Sequence, residues 1–177
     1  LLFHLLLILL VHFSEGLAAV MINDKLGYIN KQGQIVIPPT FDSAYLFLEG
    51  LAEVAINDKW GFINRQGQFV IPPTFDFASS FSEGLAAVMI NDKWGFINKQ
   101  GQFVIPPTFD DAYSFSEGLA TVEINDKWGF INKQGQFVIP PTFDDAYSFS
   151  EGLATVIIND KWGYINKQGQ LIYGNLD

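Results

Sequence analysis

The sequence predicts an all-β protein, built as a tandem array of five three-stranded antiparallel meanders, from three observations. A 34-residue unit recurs, in which Lys-Trp-Gly-Phe-Ile-Asn begins at Lys59, Lys93 and Lys127. The segment Phe-Ser-Glu-Gly-Leu-Ala keeps the same step, for example at Phe81 and Phe115. Short apolar runs alternate with turn signals inside every unit. A fixed period of this size is typical of repeat architectures, in which each unit buries its apolar face against its neighbours.

One copy illustrates the strands of a unit. Residues 51–56 form a plausible first strand, and Asn-Asp at 57–58 is a turn signal. Residues 60–64 are rich in aromatic and β-branched side chains, as in a second strand. Residues 68–71 form the third strand, which two prolines are expected to end because proline lacks the ladder amide. The five predicted meanders lie at 17–38, 51–72, 85–106, 119–140 and 153–173.

The second loop of the meander predicts its own register. A three-residue loop that ends in a left-handed Gly67 pairs Asn64 with Gln68. This register places Phe62 opposite Val70.

The first loop allows two registers. A three-residue loop at 56–58 places Val54 opposite Trp60, whereas a two-residue Asn-Asp loop places Ala55 there. We favour the three-residue loop because it gathers a set of apolar side chains on one face. These are Ala52, Val54, Trp60, Phe62 and Val70.

The linkers and the second face of each meander predict how the units pack. Ile63, Phe69 and Ile71 share the other face with Gly61, so successive sheets are expected to pack on each other. The aromatic residues of a linker such as 107–118 are expected to fill the seam, and a short fourth strand at 113–115 is compatible with it. We predict an open, solenoid-like array, with a closed β-propeller-like ring as the alternative.

The composition describes a folded, acidic chain. Apolar residues make up 49% of the 177 residues and charged residues 16%, which is enough for a core. The net charge of −9 is spread along the chain, so no nucleic-acid partner is expected. No cysteine is present, which excludes disulfides and thiolate metal sites. His4 and His12 both lie outside the regular repeats, so neither a histidine zinc site nor a Ser-His-Asp triad is expected within the repeats.

The apolar segment 1–12 does not match the repeat. It is too short to span a bilayer as an ordinary helix, so no transmembrane span is expected. It resembles the apolar centre of a signal peptide, although a starting Met and a basic leading region are lacking. A degenerate repeat is the alternative. Export to the periplasm, cell surface or medium follows from the first interpretation, and a cytoplasmic location stays open.

The tryptophan series is the candidate binding site. Its four members could stack against sugars or peptides, although aromatic side chains in strands usually serve burial, which makes core packing the favoured interpretation. The members are Trp60, Trp94, Trp128 and Trp162.

Repeated carboxylates are candidate calcium ligands, but their pattern does not favour a metal site. The second Asp is replaced by Ser43 and Phe77 in two copies, and no spaced Asp-x-Asp-x-Asp-Gly loop exists. Identical acids on every unit also fail to single out one catalytic pair. We therefore expect no cofactor, no metal site, no catalytic residue and no enzymatic activity. The carboxylates considered are Asp110, Asp111, Asp144, Asp145, Glu117 and Glu151.

The run Lys-Trp-Gly-Phe-Ile-Asn-Lys-Gln-Gly-Gln-Phe-Val-Ile-Pro-Pro, followed by Phe-Asp-Asp-Ala and Phe-Ser-Glu-Gly-Leu-Ala, resembles the bacterial WG-repeat family over about 13–173. The resemblance implies a β-rich repeat array of unassigned biochemical role, without agreed catalytic residues. This chain departs from the pattern at Leu26, where Trp is expected.

The sequence leaves two classes of function. The first is a non-enzymatic protein-interaction or scaffold surface for a protein or cell-envelope partner, since repeat arrays create extended surfaces. The second is a glycan- or cell-envelope-binding module that uses the tryptophan series.

Overall fold

The computed structural model describes residues 12–176, and the chain divides into two units that end at Ser80 and Asp177. Of the predicted apolar segment 1–12, all but His12 lies outside the described residues. No helix long and apolar enough to cross a membrane occurs in residues 12–176. The strands of unit 1 are β1 (Leu17–Ile22), β2 (Lys25–Asn30), β3 (Ile35–Phe41), β4 (Ser43–Ala44), β5 (Ala52–Ile56), β6 (Lys59–Ile63), β7 (Phe69–Phe75) and β8 (Phe77–Ala78).

Unit 2 continues the same pattern. Its strands are β9 (Ala86–Ile90), β10 (Lys93–Ile97), β11 (Phe103–Phe109), β12 (Asp111–Ala112), β13 (Ala120–Ile124), β14 (Lys127–Ile131), β15 (Phe137–Phe143), β16 (Asp145–Ala146), β17 (Leu153–Ile158), β18 (Lys161–Asn166) and β19 (Leu171–Gly174).

Antiparallel sheets in chain order confirm the tandem all-β prediction. The first sheet has the order β1-β2-β3, and β4-β5-β6-β7 follows it in unit 1. In unit 2, β9, β10 and β11 are neighbours, followed by β12-β13-β14-β15 and β16-β17-β18-β19. Among the described residues none of these sheets closes on itself. The short fourth strand is Asp111–Ala112 rather than residues 113–115.

The first turn has two residues, so the favoured register was wrong. Ala55, not Val54, lies opposite Trp60. Asn57 and Asp58 both have positive φ, at 51° and 58°. That combination is a type I′ turn, whose twist matches the flanking strands, and Asn and Asp tolerate the left-handed region. Apolar burial on one face was therefore the weaker guide to register, and turn chemistry the stronger.

The second turn is confirmed as a three-residue loop. Gly67 has a φ of 77°, and the Asn64 and Gln68 backbones are hydrogen-bonded at 2.9 Å. The Asn64 side chain also accepts hydrogen bonds from the backbone amides of Gln66 and Gln68, each at 3.0 Å. The loop thus receives its shape from Gly67 and its hydrogen bonds from Asn64.

The third strand does not end at the prolines, contrary to the prediction. β7 runs through Pro72 and Pro73 to Phe75, which lies opposite Trp60, while Ile71 rather than Val70 lies opposite Phe62. The register shifts between these pairs, so the prolines occupy a bulge. β7 is the outer strand of its sheet, where an amide donor is not needed on the open side.

Gly61 is the residue that admits this bulge. A Cβ atom at Gly61 would lie 2.6 Å from the Ile71 oxygen and 2.7 Å from the Pro73 nitrogen. Its φ is not in the left-handed region, so the requirement for glycine comes from close backbone approach alone. Gly27, Gly95 and Gly129 show the same close approach in their own copies.

The core of each unit lies between successive sheets, as predicted. In unit 1 the linker residue Phe47 is fully buried, and its ring centroid lies 4.9 Å from that of Tyr28 on the preceding sheet. Val54 and Ile63 of the next sheet complete the same cluster. Phe115 repeats this contact in unit 2, with its ring 4.9 Å from that of Phe96. Burial of one such ring stabilises the fold by about 2 kcal/mol.

Glu53 is a buried carboxylate in the second sheet. Its side chain is 4% exposed, and the Ser80 hydroxyl donates a hydrogen bond to Oε1 at 2.6 Å. Oε2 has no hydrogen-bond partner among the described residues. Burial raises the pKa of Glu53 above its ordinary value, against the opposing effect of the Ser80 hydrogen bond. The equivalent residues in the other copies are Ala19, Ala87, Thr121 and Thr155, so the fold does not require a carboxylate here.

Gly61→Ala should destabilise the protein by about 3 kcal/mol, because the added methyl group collides with the proline bulge. The measurement is the free energy of unfolding from urea titration. Gly50→Ala is the matched control, since nothing lies within 4 Å of the added Cβ and only its φ of 86° resists alanine. We expect about 1 kcal/mol for the control. Equal losses in the two variants would contradict the role assigned to close approach.

Glu53→Ala should stabilise the protein more at about pH 7 than at about pH 4. The raised pKa means that the folded state holds a proton that the unfolded chain releases, so the contribution of Glu53 to stability falls as the pH rises above the ordinary glutamate value. Urea unfolding at both pH values measures the difference between variant and parent. Thr121→Ala is the control, because Thr121 occupies the equivalent position, is buried and does not titrate. A Glu53→Ala effect that is independent of pH would refute the assignment.

Candidate interaction surface

The tryptophan series is largely internal. Trp60 is 9% exposed, and its ring lies between those of Tyr45 and Phe77, with centroid distances of 5.6 and 5.2 Å. Trp128 is also buried, and Trp94 is partly buried against a hydrophobic cluster of unit 2.

Trp162 differs from the other three tryptophans. It is 50% exposed, on β18 of the last sheet. Its ring centroid lies 5.7 Å from Tyr164 and 6.0 Å from Tyr173, both of which are exposed. Trp162 is therefore the most exposed of the four tryptophans, and the two rings beside it are exposed as well.

The buried tryptophans support exposed aromatic side chains near the short strands. Tyr113 follows β12 and stacks on Trp128, with centroids 5.1 Å apart and ring planes 16° apart. The Tyr113 amide donates to the Thr121 carbonyl at 2.9 Å, which fixes its backbone. Tyr113 is nevertheless 40% exposed. The prediction that linker aromatics fill the seam therefore holds for Phe115 and is wrong for Tyr113.

Two equivalent tyrosines are placed in the same way. Tyr45 in unit 1 and Tyr147 in unit 2 are each about half exposed. The Tyr45 amide donates a hydrogen bond to the Glu53 backbone carbonyl at 3.1 Å, and the Tyr147 amide donates one to the Thr155 carbonyl at 2.9 Å. The exposure of these tyrosines was not predicted from the sequence. The available signal was the Asp-Ala-Tyr run at 145–147, because alternation in an extended segment puts Tyr147 on the side opposite the buried Ala146.

In unit 2 the tyrosines lie among carboxylates. We call Asp111, Tyr113, Glu123, Asp145 and Tyr147 the acidic–aromatic edge. Asp111 lies directly opposite Glu123 across the ladder between β12 and β13.

The electrostatic effect of this arrangement is visible in two groups. Partial burial raises the pKa of Glu123, and the charge of Asp111 adds to this effect. Partial burial also raises the pKa of Tyr113, again with contributions from Asp111 and Asp145. The carboxylate contributions to both shifts indicate a negative potential at this edge.

The first aspartate of each linker has a structural role. Lys127 forms an ion pair with Asp144, whose Oδ2 accepts a hydrogen bond from the Asn159 amide at 2.6 Å. The hydrogen bond from Lys127, then that from Asn159, lowers the pKa of Asp144. Asp110 is held in the same way by Lys93 and Asn125. Asp110 and Asp144, two of the carboxylates considered as calcium ligands, therefore stabilise the type I′ turns.

Glu117 is also held by contacts within unit 2. It forms an ion pair with Lys167 at 3.0 Å and accepts a hydrogen bond from the Gly152 amide. Across residues 12–176 no group of three His, Asp or Glu side chains could hold a metal ion.

A second repeated surface lies on the third strand of each meander. Two consecutive apolar side chains there are 40–55% exposed in every copy. Phe69 is partly covered by Phe41 at 6.2 Å, and Phe137 by Phe109 at 6.3 Å. The exposed pairs are Ile35 and Val36, Phe69 and Val70, Phe103 and Val104, Phe137 and Val138, and Leu171 and Ile172.

Solved structures share this fold at low sequence identity. Hsv2p of Kluyveromyces lactis, a β-propeller-like protein, aligns with a TM-score of 0.62 and 11% identity, over 92% of this chain and 61% of its own. A eukaryotic initiation factor aligns with a TM-score of 0.62 and 14% identity, over 90% of this chain and 51% of its own. The similarity concerns the fold alone.

A bacterial structure shows the same likeness. PorZ, a surface component of the type-IX secretion system of Porphyromonas gingivalis, aligns with a TM-score of 0.51 and 8% identity. The alignment covers 94% of this chain and 25% of PorZ. The chain thus spans less than two thirds of each of these three proteins.

No curated protein sequence matches the chain. The WG containing repeat family matches it at 10–25, 27–60, 60–94, 94–128, 128–162 and 162–173, which covers the strands described above apart from Leu26 and Gly174. The chain belongs to the WG containing repeat family.

Proposed function

We propose that the protein is a non-enzymatic interaction protein whose acidic–aromatic edge binds a cationic segment of a protein partner. The observation that carries the proposal is the stack of Tyr113 on Trp128 among three carboxylates, those of Asp111, Glu123 and Asp145. Tyrosine supplies a large contact area at a small cost in side-chain entropy, which is why it is enriched at interfaces. The supporting Trp128 holds the ring in place before a partner arrives.

The charge of the edge selects the partner. A lysine or arginine side chain can lie over the face of Tyr113 and approach the surrounding carboxylates. The net charge of −9 adds long-range attraction for a basic segment.

The equivalent positions in unit 1 carry no such charge, since Ser43 and Phe77 replace the two aspartates. Unit 1 therefore offers apolar contacts beside Tyr45 and Phe77. The surface of unit 1 and the acidic–aromatic edge of unit 2 therefore select segments of different chemistry.

A non-enzymatic role agrees with the use of the repeated acids. Asp110 and Asp144 are held by lysines at the turns, and Glu117 is held by Lys167. These carboxylates stabilise the fold rather than face a shared cleft.

The double variant Asp111→Asn with Asp145→Asn should weaken binding of a ten-residue Lys/Arg peptide by about tenfold, since two partly screened charges at about 0.7 kcal/mol each contribute about 1.4 kcal/mol. Isothermal titration calorimetry at low salt measures the affinity, and about 0.3 M salt should reduce it.

The matched control changes the same net charge elsewhere. Asp24→Asn with Asp58→Asn alters two turn residues of unit 1 whose positive φ suits Asn. This control should keep most of the affinity. If both double variants lose affinity equally, the acidic–aromatic edge is not the binding site.

A second function is supported by one observation, the open ring of Trp162 beside Tyr164 and Tyr173. Such a platform suits stacking against sugar rings, so glycan binding is the alternative for the last sheet.

Chitotetraose or cellotetraose should protect Trp162 from acrylamide quenching if that alternative holds, because a stacked sugar covers the open ring. Trp fluorescence measures the protection. Trp162→Phe should abolish it, whereas Trp60→Phe, which changes a buried ring, should leave it intact. Quenching that neither oligosaccharide alters would exclude glycan binding at this platform.

A further inference from the structure

A cavity of about 370 Å³ lies against the first sheet of unit 1. Its walls are largely apolar and include Met21, Leu26 and Tyr45. Asp42 and Ser43 add polar atoms at the wall. The cavity lies in unit 1 and shares no residue with the acidic–aromatic edge, so it is independent of the function proposed above.

The neighbouring copy shows which side chain fills the equivalent space. Leu26 lies opposite Met21 and Phe41, in the register that places Trp60 opposite Ala55 and Phe75. Leu26 is therefore the structural counterpart of Trp60.

A second substitution enlarges the same space. Ser43 is the counterpart of Phe77, whose ring lies 5.2 Å from the ring of Trp60. The first copy thus replaces two packed rings by Leu and Ser at adjoining positions. The cavity lies at Leu26 and Ser43, the positions of these two losses of side-chain volume.

The chemistry of the walls resembles that of a small-molecule site. Apolar cavities retain affinity for a ring of matching size, and ligand sites of a few hundred Å³ combine apolar walls with few polar groups. An indole N–H is a donor only. The Asp42 carboxylate and the Ser43 hydroxyl are acceptors at the wall. Asp42 already accepts from Lys25 and from the Asn57 amide, and a carboxylate has capacity for a further donor.

We propose that this cavity binds one indole-sized aromatic ring, in the place that the tryptophan side chain takes in the next copy. The ring contacts Leu26, Met21 and Tyr45 and directs its N–H toward Asp42 or Ser43.

Ligand-observed saturation-transfer NMR with the full chain tests this assignment. Indole should bind saturably, and Leu26→Trp should reduce its affinity about tenfold or more because the new side chain fills the cavity. Leu26→Trp should also raise the melting temperature, as a filled cavity restores packing contacts. If Leu26→Trp fails to fold, Ser43→Phe tests the proposal instead. Its phenylalanine ring fills the same space and should likewise reduce indole binding.

Leu48→Trp is the matched control, because Leu48 is exposed and Ser replaces it at the equivalent positions 82 and 116. It should bind indole as the parent does. N-acetyltryptophanamide is the second probe: tighter binding than that of indole assigns the ring to a peptide side chain, and weaker or equal binding assigns it to a free small molecule. Absence of saturable binding of both probes to the parent overturns the proposal, as does binding that the two cavity-filling variants leave unchanged.

Discussion

The contact on which the array depends is the linker phenylalanine between two successive sheets. A three-stranded meander has two partly apolar faces and cannot bury them alone. Phe47 closes the seam against Tyr28, and Phe149 does so against Phe130 with a centroid distance of 4.9 Å. Because each ring comes from the linker and packs on the sheet before it, the chain passes from one sheet to the next while it forms the core. Strand pairing and linker path are thereby coupled.

The sequence predicted the class and spacing of the elements because these follow from local patterns. Period, turn residues and β-branched runs each act within a few residues, and the Gly67 loop formed as expected. The register of β5 on β6 did not follow, because a comparison of apolar faces ignored the stronger twist preference of the Asn-Asp turn. The extension of β7 through Pro72 and Pro73 depends on a non-local fact, namely that Gly61 leaves room for the bulge.

The candidate surface was harder to predict for a related reason. Whether an aromatic side chain is buried depends on which neighbour covers it. Trp60 and Trp128 were correctly expected in the core, yet Trp162 has the same local sequence and remains half exposed. Tyr113 and Phe115 are two residues apart in the same linker and have opposite environments. Because the copies are nearly identical in sequence, the structural effects of the substitutions at Leu26, Ser43 and Glu53 can be compared with copies that are otherwise unchanged.

The proline bulge affects the tendency of this acidic chain to aggregate through its outer strands. The outer strands expose pairs of apolar side chains along a free edge, the arrangement that invites another chain to add as a further strand and begin fibre growth. Pro72 and Pro73 deprive that edge of two amide donors, and the bulge bends it away from the flat shape that lateral stacking needs. A further copy that carries the two prolines therefore adds no aggregation-prone edge, whereas the outer strand β19 of the last copy has no proline.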